Sequence, residues 1–236
     1  MILKRLDDGR FSEVLPAWLG ETVVVVGCGP SLTRGQQLHV RAAHSLGICR
    51  MIVVNDAYLW APWADVHYAA DSHWHRWHSE GIEKPLLGLR GEEVRIRWAR
   101  FSGQKCTIQN SGANVADEAV HVIRNRDHPR HGTGLSVDPK VLVTGRNSGF
   151  QALNLATLAG ARRVLLIGFD GGVRAGGPGH FHGDHPRLTP ADVYPMQRAA
   201  MREALEPLRE LGVEVVNCTP GSQIDAFPMA CLQEVL

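Results

Sequence analysis

The feature that most constrains the fold is the stretch TVVVVGCGPSL at residues 22–32. A run of β-branched residues makes a buried strand, and the glycines that end it allow a tight turn at its carboxyl end. In open α/β sheets that is the edge where phosphates bind, on backbone N–H groups and helix starts. The loop Gly27-Cys28-Gly29-Pro30-Ser31-Leu32 is neither a full dinucleotide fingerprint, lacking the third glycine, nor a P-loop, lacking Gly-Lys-Ser/Thr. It points to a nucleotide site of another kind, or to a strand-to-helix turn without a ligand.

Period-2 and helical patterns alternate along the rest of the chain, as expected of a sheet with crossover helices. Strands are expected at 22–26, 51–54, 66–70, 94–98, 140–143, 163–167 and 213–216. Helices are expected at about 33–46, 72–79, 113–124, 148–159 and 192–211. Asn147 or Ser148 can cap the helix at 148–159 and Gly160 ends it, which makes a strand–helix–strand unit of residues 140–170. The expected architecture is α/β: one Rossmann-like domain over residues 1–236, a mostly parallel sheet flanked by helices. The polar segment 125–139 reads as a surface loop. The glycine-dense segment 171–190 carries three histidines, an aspartate and two arginines, and reads as an active-site lid.

Composition narrows the class. With 25 basic and 24 acidic residues the net charge is +1, so no global field draws the chain to nucleic acid. No segment is long and apolar enough for a membrane span, and the charged N-terminus is unlike a signal peptide. Five cysteines without a CxxC pair suit free thiols in a cytoplasmic setting. A homo-oligomer is compatible with all of this.

Chemistry concentrates at strand ends and in two histidine clusters. Gly27 to Ser31, Asn55-Asp56, Asp71-Ser72 and Gly168 to Asp170 each close a strand, and in a parallel sheet they share one edge. Carboxamides and carboxylates there can take ribose hydroxyls or base edges, and aspartates can hold a cation. Arg146-Asn147-Ser148-Gly149, opening a helix, is an anion receptor or a plain N-cap. In His180-Phe-His182-Gly-Asp184-His185, three readings stay open: acid–base or phosphate contact, metal ligation, and a structural loop. His67, His73, His75 and His78, interleaved with Trp74 and Trp77, read first as a buried aromatic stripe and second as a stacking surface.

Taken together, GCGPSL, Asn55-Asp56, NSGFQALNLATLAGARRVLLIGFD and the closing VEVVNCTPGSQIDAF resemble the bacterial CMP-sialic-acid-dependent sialyltransferases that build lipooligosaccharide. The same pattern is similar to the archaeal 6-hydroxymethyl-dihydropterin pyrophosphokinases and to compact phage and bacterial relatives of both. The resemblance implies nucleotide contacts at Gly27, Gly29, Pro30, Ser31, Asn55, Ser148 and Gly149, with Arg146 near the phosphate and a catalytic histidine in the 180–185 loop. It departs from the sialyltransferase pattern at Cys28, where an Asn is usual, and at Asp56, where a Gln is usual. Gly171 and Gly172 stand where tyrosines would bind the leaving phosphate, Phe181 where another would lie, and Asp184 aligns with the catalytic His, one position before His185.

The expected activity is nucleotide-dependent transfer. The first reading is a sialyltransferase-like glycosyltransferase passing a sugar from a nucleotide sugar, CMP-type first, to a hydroxyl acceptor. His185 or His182 would be the base, with Asp184 and Arg146 beside it. Nucleotide contacts would extend over Cys28, Asp56, Asp71, Asn147, Asp170 and His180. The alternative is an ATP-dependent pyrophosphokinase with Mg²⁺ on Asp71, Asp170 or Asp184. A non-catalytic nucleotide-binding module of phage type is the third.

Overall fold

A computed structural model describes residues 1–109, 117–126, 134–172, 177–184, 190 and 192–236. Its centre is β3 (Thr22–Val26), the β-branched run that opened the sequence argument. Alternate residues of β3 bury into two separate cores, Val23 and Val25 into one, Val24 and Val26 into the other, which a strand covered on both faces requires.

From β3 the chain winds in one direction. A helix, α1 (Arg34–Ser45), capped by a Thr33–Gln36 capping box, leads to β4 (Cys49–Val54). After the short α2 (Ala57–Trp60) come β5 (Val66–Tyr68), α3 (Ser72–Glu80), α4 (Gly91–Ala99), β6 (Gln104–Ile108), β7 (Val120–Asn125) and β8 (Val141–Leu142). The chain then crosses back through α5 (Ser148–Leu158) to β9 (Arg163–Ile167) on the other side of β3. It ends with α6 (Val193–Glu203), α7 (Leu205–Glu210), β10 (Glu214–Asn217) and α8 (Leu232–Val235). The order β10-β9-β3-β4-β5-β6-β7-β8 is parallel throughout, an eight-stranded sheet with helices on both faces. This is the expected Rossmann-like α/β class. A small antiparallel pair, β1 (Leu3–Arg5) with β2 (Ser12–Val14), packs on the side of the first core.

The reversal of direction falls between β3 and β9. Their carboxyl ends therefore diverge into a crevice at the topological switch point, the usual ligand position in such sheets. α5, whose residues from Gly149 to Ala156 are all buried, including the hydrogen-bonded Gln151 and Asn154, sits as a central helix beneath that crevice.

Three sequence expectations are corrected. Residues 94–98 form part of α4, not a strand: Val94 and Trp98, four apart, are the buried pair, and Glu93 closes back on the Arg90 N–H. The V-R-I-R-W alternation satisfies both periods, and the burial of Val94 and Trp98 selects the helical one. The expected helix at 113–124 is instead strand β7 from Val120 onward, paired in register with Lys105–Ile108 of β6, a strand the sequence did not suggest. The long helix at 192–211 breaks at Ala204 because Pro207 cannot continue it and sits in the first turn of α7. Residues 127–133, within the expected 125–139 loop, lie outside the described residues. No described helix is long and apolar enough to cross a membrane.

Candidate functional site

The carboxyl ends of β3, β4, β5 and β9 border one cleft of about 630 Å³. Its lining includes Gly27, Cys28 and Gly29 after β3, Asn55 after β4, Ala70 and Asp71 after β5, and Gly168 to Gly172 after β9. Arg146 to Gly149 at the head of α5, Trp74 and Trp77 of α3, His180, and Tyr194 and Gln197 of α6 also line it.

The glycine loop serves packing more than it serves donation. The Gly27 N–H is given to Ile167 O at 2.8 Å and the Gly29 N–H to Gly168 O at 2.9 Å. A Cβ on Gly27 would stand 2.5 Å from Gly168 O, and one on Gly29 would collide with the Asp170 carboxylate. The glycines thus let the β3 and β9 loops touch, and their amides are already spent. Pro30 and Ser31 fall outside the lining, and Ser31 donates its hydroxyl to Asp170 Oδ2 at 2.7 Å. The Cys28 thiol donates to Val54 O at 3.1 Å, and burial, with Asp56 nearby, pushes its pKa far up. It is a packed thiol without nucleophilic character.

Asn147 caps α5 by accepting from the Gly149 N–H at 2.7 Å, and Ser148 and Gly149 form the cleft wall at its positive end. Arg146 directs its guanidinium at the Met196 sulfur, 3.0 Å away, with no carboxylate partner among the described residues. Across the sheet edge, the Asn55 side-chain oxygen is buried without a hydrogen-bond partner. Asn55 (φ 49°) and Arg146 (φ 52°) are the two non-glycine residues with left-handed backbone among the described residues, and both line this cleft. Each costs about 1–3 kcal/mol, and backbone strain of this kind clusters at ligand and switch sites.

The acidic residues divide. Asp71 caps α3 through the His73 N–H at 2.8 Å and keeps an exposed side chain in the cleft, and Asp170 lies buried at its floor. Asp184 accepts from the Gly179 N–H and shapes its own turn away from the lining. Asp56 is also absent from the lining. It is fully buried, with Lys84 and His78 on one oxygen and Trp74 and His182 facing the other. His182, expected as a base, is therefore an interior residue. His185 lies outside the described residues. His180 lines the cleft, and burial lowers its pKa, so its imidazole is neutral and can accept a proton. Among the described residues no three His, Cys, Asp or Glu side chains gather closely enough to hold a metal ion.

The second histidine cluster is mainly core. His67 stacks on Trp74 at 4.7 Å, Trp74 on His78 at 3.8 Å, and Tyr58, Trp98 and Phe101 close around them edge-on. Trp77 leaves that stripe and joins the cleft. Lys84, the interior cation beside Asp56, went unnoticed in the sequence. So did Gln151, which accepts from the Tyr68 hydroxyl at 2.9 Å and donates to Thr144 O. A lysine in a polar stretch carries no local sign of burial.

Burial also holds His67 and His75 below their usual range. Together with His180, these groups bind protons more readily in the unfolded chain. The stability they lend is complete above about pH 6.5 and is lost as pH falls beneath it. Calorimetric melting is expected to show the midpoint declining from about pH 7 to about pH 5, before most carboxylates titrate. A flat profile there would contradict buried neutral histidines.

No protein-family model matches the chain, and neither does any curated protein. Two solved structures of α-N-acetylgalactosaminidase NagBb from Bifidobacterium bifidum, a quadruple mutant and the Gal-NHAc-DNJ complex, align over 86% of this chain at 12% identity and a TM-score of 0.18. The chain spans 35% and 34% of those chains, and a likeness at that level carries no conclusion about fold or function.

Proposed function

We propose that the cleft binds a nucleotide and that the protein is a nucleotide-dependent transferase, passing a glycosyl group from a nucleotide sugar to a hydroxyl acceptor. The observation that carries the reading is the joining, in one cleft at the switch point, of a cation at a helix start with no carboxylate partner among the described residues (Arg146 before Ser148-Gly149) with a neutral histidine (His180). The first suits a leaving phosphate, and the second suits the proton of an attacking hydroxyl.

In this reading the donor phosphate rests on Arg146 and the head of α5, and the buried Asn55 oxygen accepts from a ribose hydroxyl or a base amino group. The acceptor oxygen attacks the anomeric carbon while the bond from that carbon to the phosphate oxygen breaks. The electron pair leaves with the nucleotide, where Arg146 offsets the charge, and the hydroxyl proton passes to the His180 imidazole. Trp77 offers a ring face to the base or sugar.

One observation favours pyrophosphoryl transfer from ATP instead. The Asp170 carboxylate is packed against Gly29 in the loop nearest the switch point, where a bare polyphosphate would meet repulsion. Asp170 and Asp71 would hold Mg²⁺, whose charge would offset that of the polyphosphate.

Thermal melting against CMP, CDP, UDP, GDP and ATP, each with Mg²⁺ and with EDTA, separates these readings. A nucleotide at a hundred times its Kd should stabilise the fold by about 2.7 kcal/mol, raising the midpoint by roughly 5–10 °C. A pyrimidine nucleotide acting equally in EDTA supports glycosyl transfer. A shift confined to ATP with Mg²⁺ moves the assignment to pyrophosphoryl transfer. No shift with any of them removes the nucleotide reading.

A further inference from the structure

Asp56 follows the strained cleft residue Asn55, yet its carboxylate is wholly buried. Isolated, such a charge could not be kept in a dry interior. Lys84 Nζ lies 2.6 Å from Oδ1 and His78 Nε2 3.0 Å from it. Trp74 Nε1 donates to Oδ2 at 3.1 Å. Those three groups, from α3 and the turn after it, supply a countercharge and two hydrogen bonds. A fourth comes from far along the chain: His182 Nε2 stands 3.5 Å from Oδ2, with neither side chain exposed to solvent.

His182 sits in segment 177–184, which touches the body of the protein at neighbouring points. The Phe181 N–H donates to Cys28 O at 3.0 Å, and Gly183 lies close over Leu86. Within the segment the ring of His180 is stacked on that of His182, centroids 5.2 Å apart and planes 10° from parallel. His182 therefore reaches the core carboxylate on one side and supports the cleft histidine on the other.

We infer that Asp56 is a positioning residue for the cleft: it anchors His182, and through that ring it seats His180 at the cleft wall. The consequence for catalysis rests on the transferase reading, whereas the anchoring itself does not. The carboxylate that the sequence assigned to ligand contact acts instead behind the site, much as outer-sphere partners orient the groups that touch a ligand.

The test begins on the unliganded protein. In His182→Ala, amide hydrogen exchange in segment 177–184 is expected to quicken by about ten-fold or more while the strands of the sheet keep their protection. Carbethoxylation of His180 by diethyl pyrocarbonate, mapped by peptide mass, should quicken with it. His182→Gln, which can present an N–H near the place of Nε2, should restore both rates towards wild type. Asp56→Asn should act like His182→Ala at the segment; if that variant does not fold, the two His182 variants decide the matter alone. Unchanged exchange and unchanged His180 reactivity in His182→Ala overturn the proposal. So does a loss of protection spread evenly over the sheet, or equal loss in Ala and Gln, since either would mean general stability and not positioning.

If melting has identified a nucleotide, the rate of transfer it supports closes a double-mutant cycle between His182→Ala and His180→Ala. Anchoring predicts that the second change adds little to the first, and additive losses count against it. Failure of the wild type to bind any nucleotide sinks the transferase reading but leaves the exchange and labelling results to judge the anchor.

Discussion

Replacing Lys84 by methionine is expected to cost about 3–5 kcal/mol of folding stability, the usual penalty when one partner of a buried ion pair is removed. For a chain of this size that corresponds to roughly 6–20 °C in the melting midpoint. Methionine keeps most of the length and apolar stem, so the loss isolates the charge. The ammonium is 3% exposed and pairs with a carboxylate that has no exposure at all, at 2.6 Å and off the angle of a good hydrogen bond. Its contribution is mainly that of a countercharge. Burial pushes the Asp56 carboxyl up, but the His78 hydrogen bond and the charges of His182, His78 and Lys84 outweigh it and hold the group well below the usual carboxylate range. A carboxyl lowered in the folded state lends stability that is complete above about pH 4 and is lost as pH falls through the folded value. Without Lys84, protonating Asp56 relieves an uncompensated charge, so the gap between variant and wild type should narrow in acid. Urea unfolding at about pH 7 and about pH 3.5 measures both effects. Asp56→Asn combined with Lys84→Met should cost less than the sum of the single changes. Lys4→Met supplies the contrast: its partner Glu13 is 3.6 Å away on a largely exposed lysine, a pair worth about 0–1 kcal/mol. Equal costs for Lys84→Met and Lys4→Met would show that the interior cluster is not held by charge.

The same cluster shows how far the sequence could be read. The β-branched runs at 22–26 and 163–167, and the capped helix between 148 and 158, carry their own signals: a strand buried on both faces leaves a nearly unbroken apolar stretch, and the helix has its cap and its apolar spacing. The switch-point cleft followed from strand ends sharing an edge. Two local ambiguities defeated finer reading. A Gly-x-Gly loop is required alike by amides that donate to a phosphate and by backbones that touch, and at Gly27 and Gly29 it is the touching that decides. In a pair of polar residues at a strand end, one can face the cleft and the other the interior. Asn55 and Asp56 divide in this way, and only the distant Lys84 and His182 explain why the acid goes inward. Partners so far apart in the chain leave no local pattern. The V-R-I-R-W segment failed for the converse reason, a pattern that fits two periods at once.

His180→Ala is expected to slow glycosyl transfer by about 10²–10⁴-fold while leaving nucleotide affinity within a few-fold of wild type, the usual effect of losing a general base. The separation follows from the roles proposed in the cleft. Arg146 and the head of α5 meet the donor in both ground and transition state, whereas the imidazole is needed only as the acceptor hydroxyl loses its proton. Arg146→Ala should therefore weaken nucleotide binding as well as turnover, and His180→Ala mainly turnover. The pH profile sharpens the distinction. Burial keeps the His180 ring neutral, and a base must be neutral to act. Activity should thus hold through neutrality and fall only on the acid side, below about pH 6.5, and His180→Ala should abolish that acid limb. An unaltered profile and rate in His180→Ala, with activity lost in EDTA and in Asp170→Asn, would reject the imidazole as base. The cleft would then be working through its carboxylates, with Arg146 serving a polyphosphate and the buried Asp170 under Gly29 marking where the metal sits.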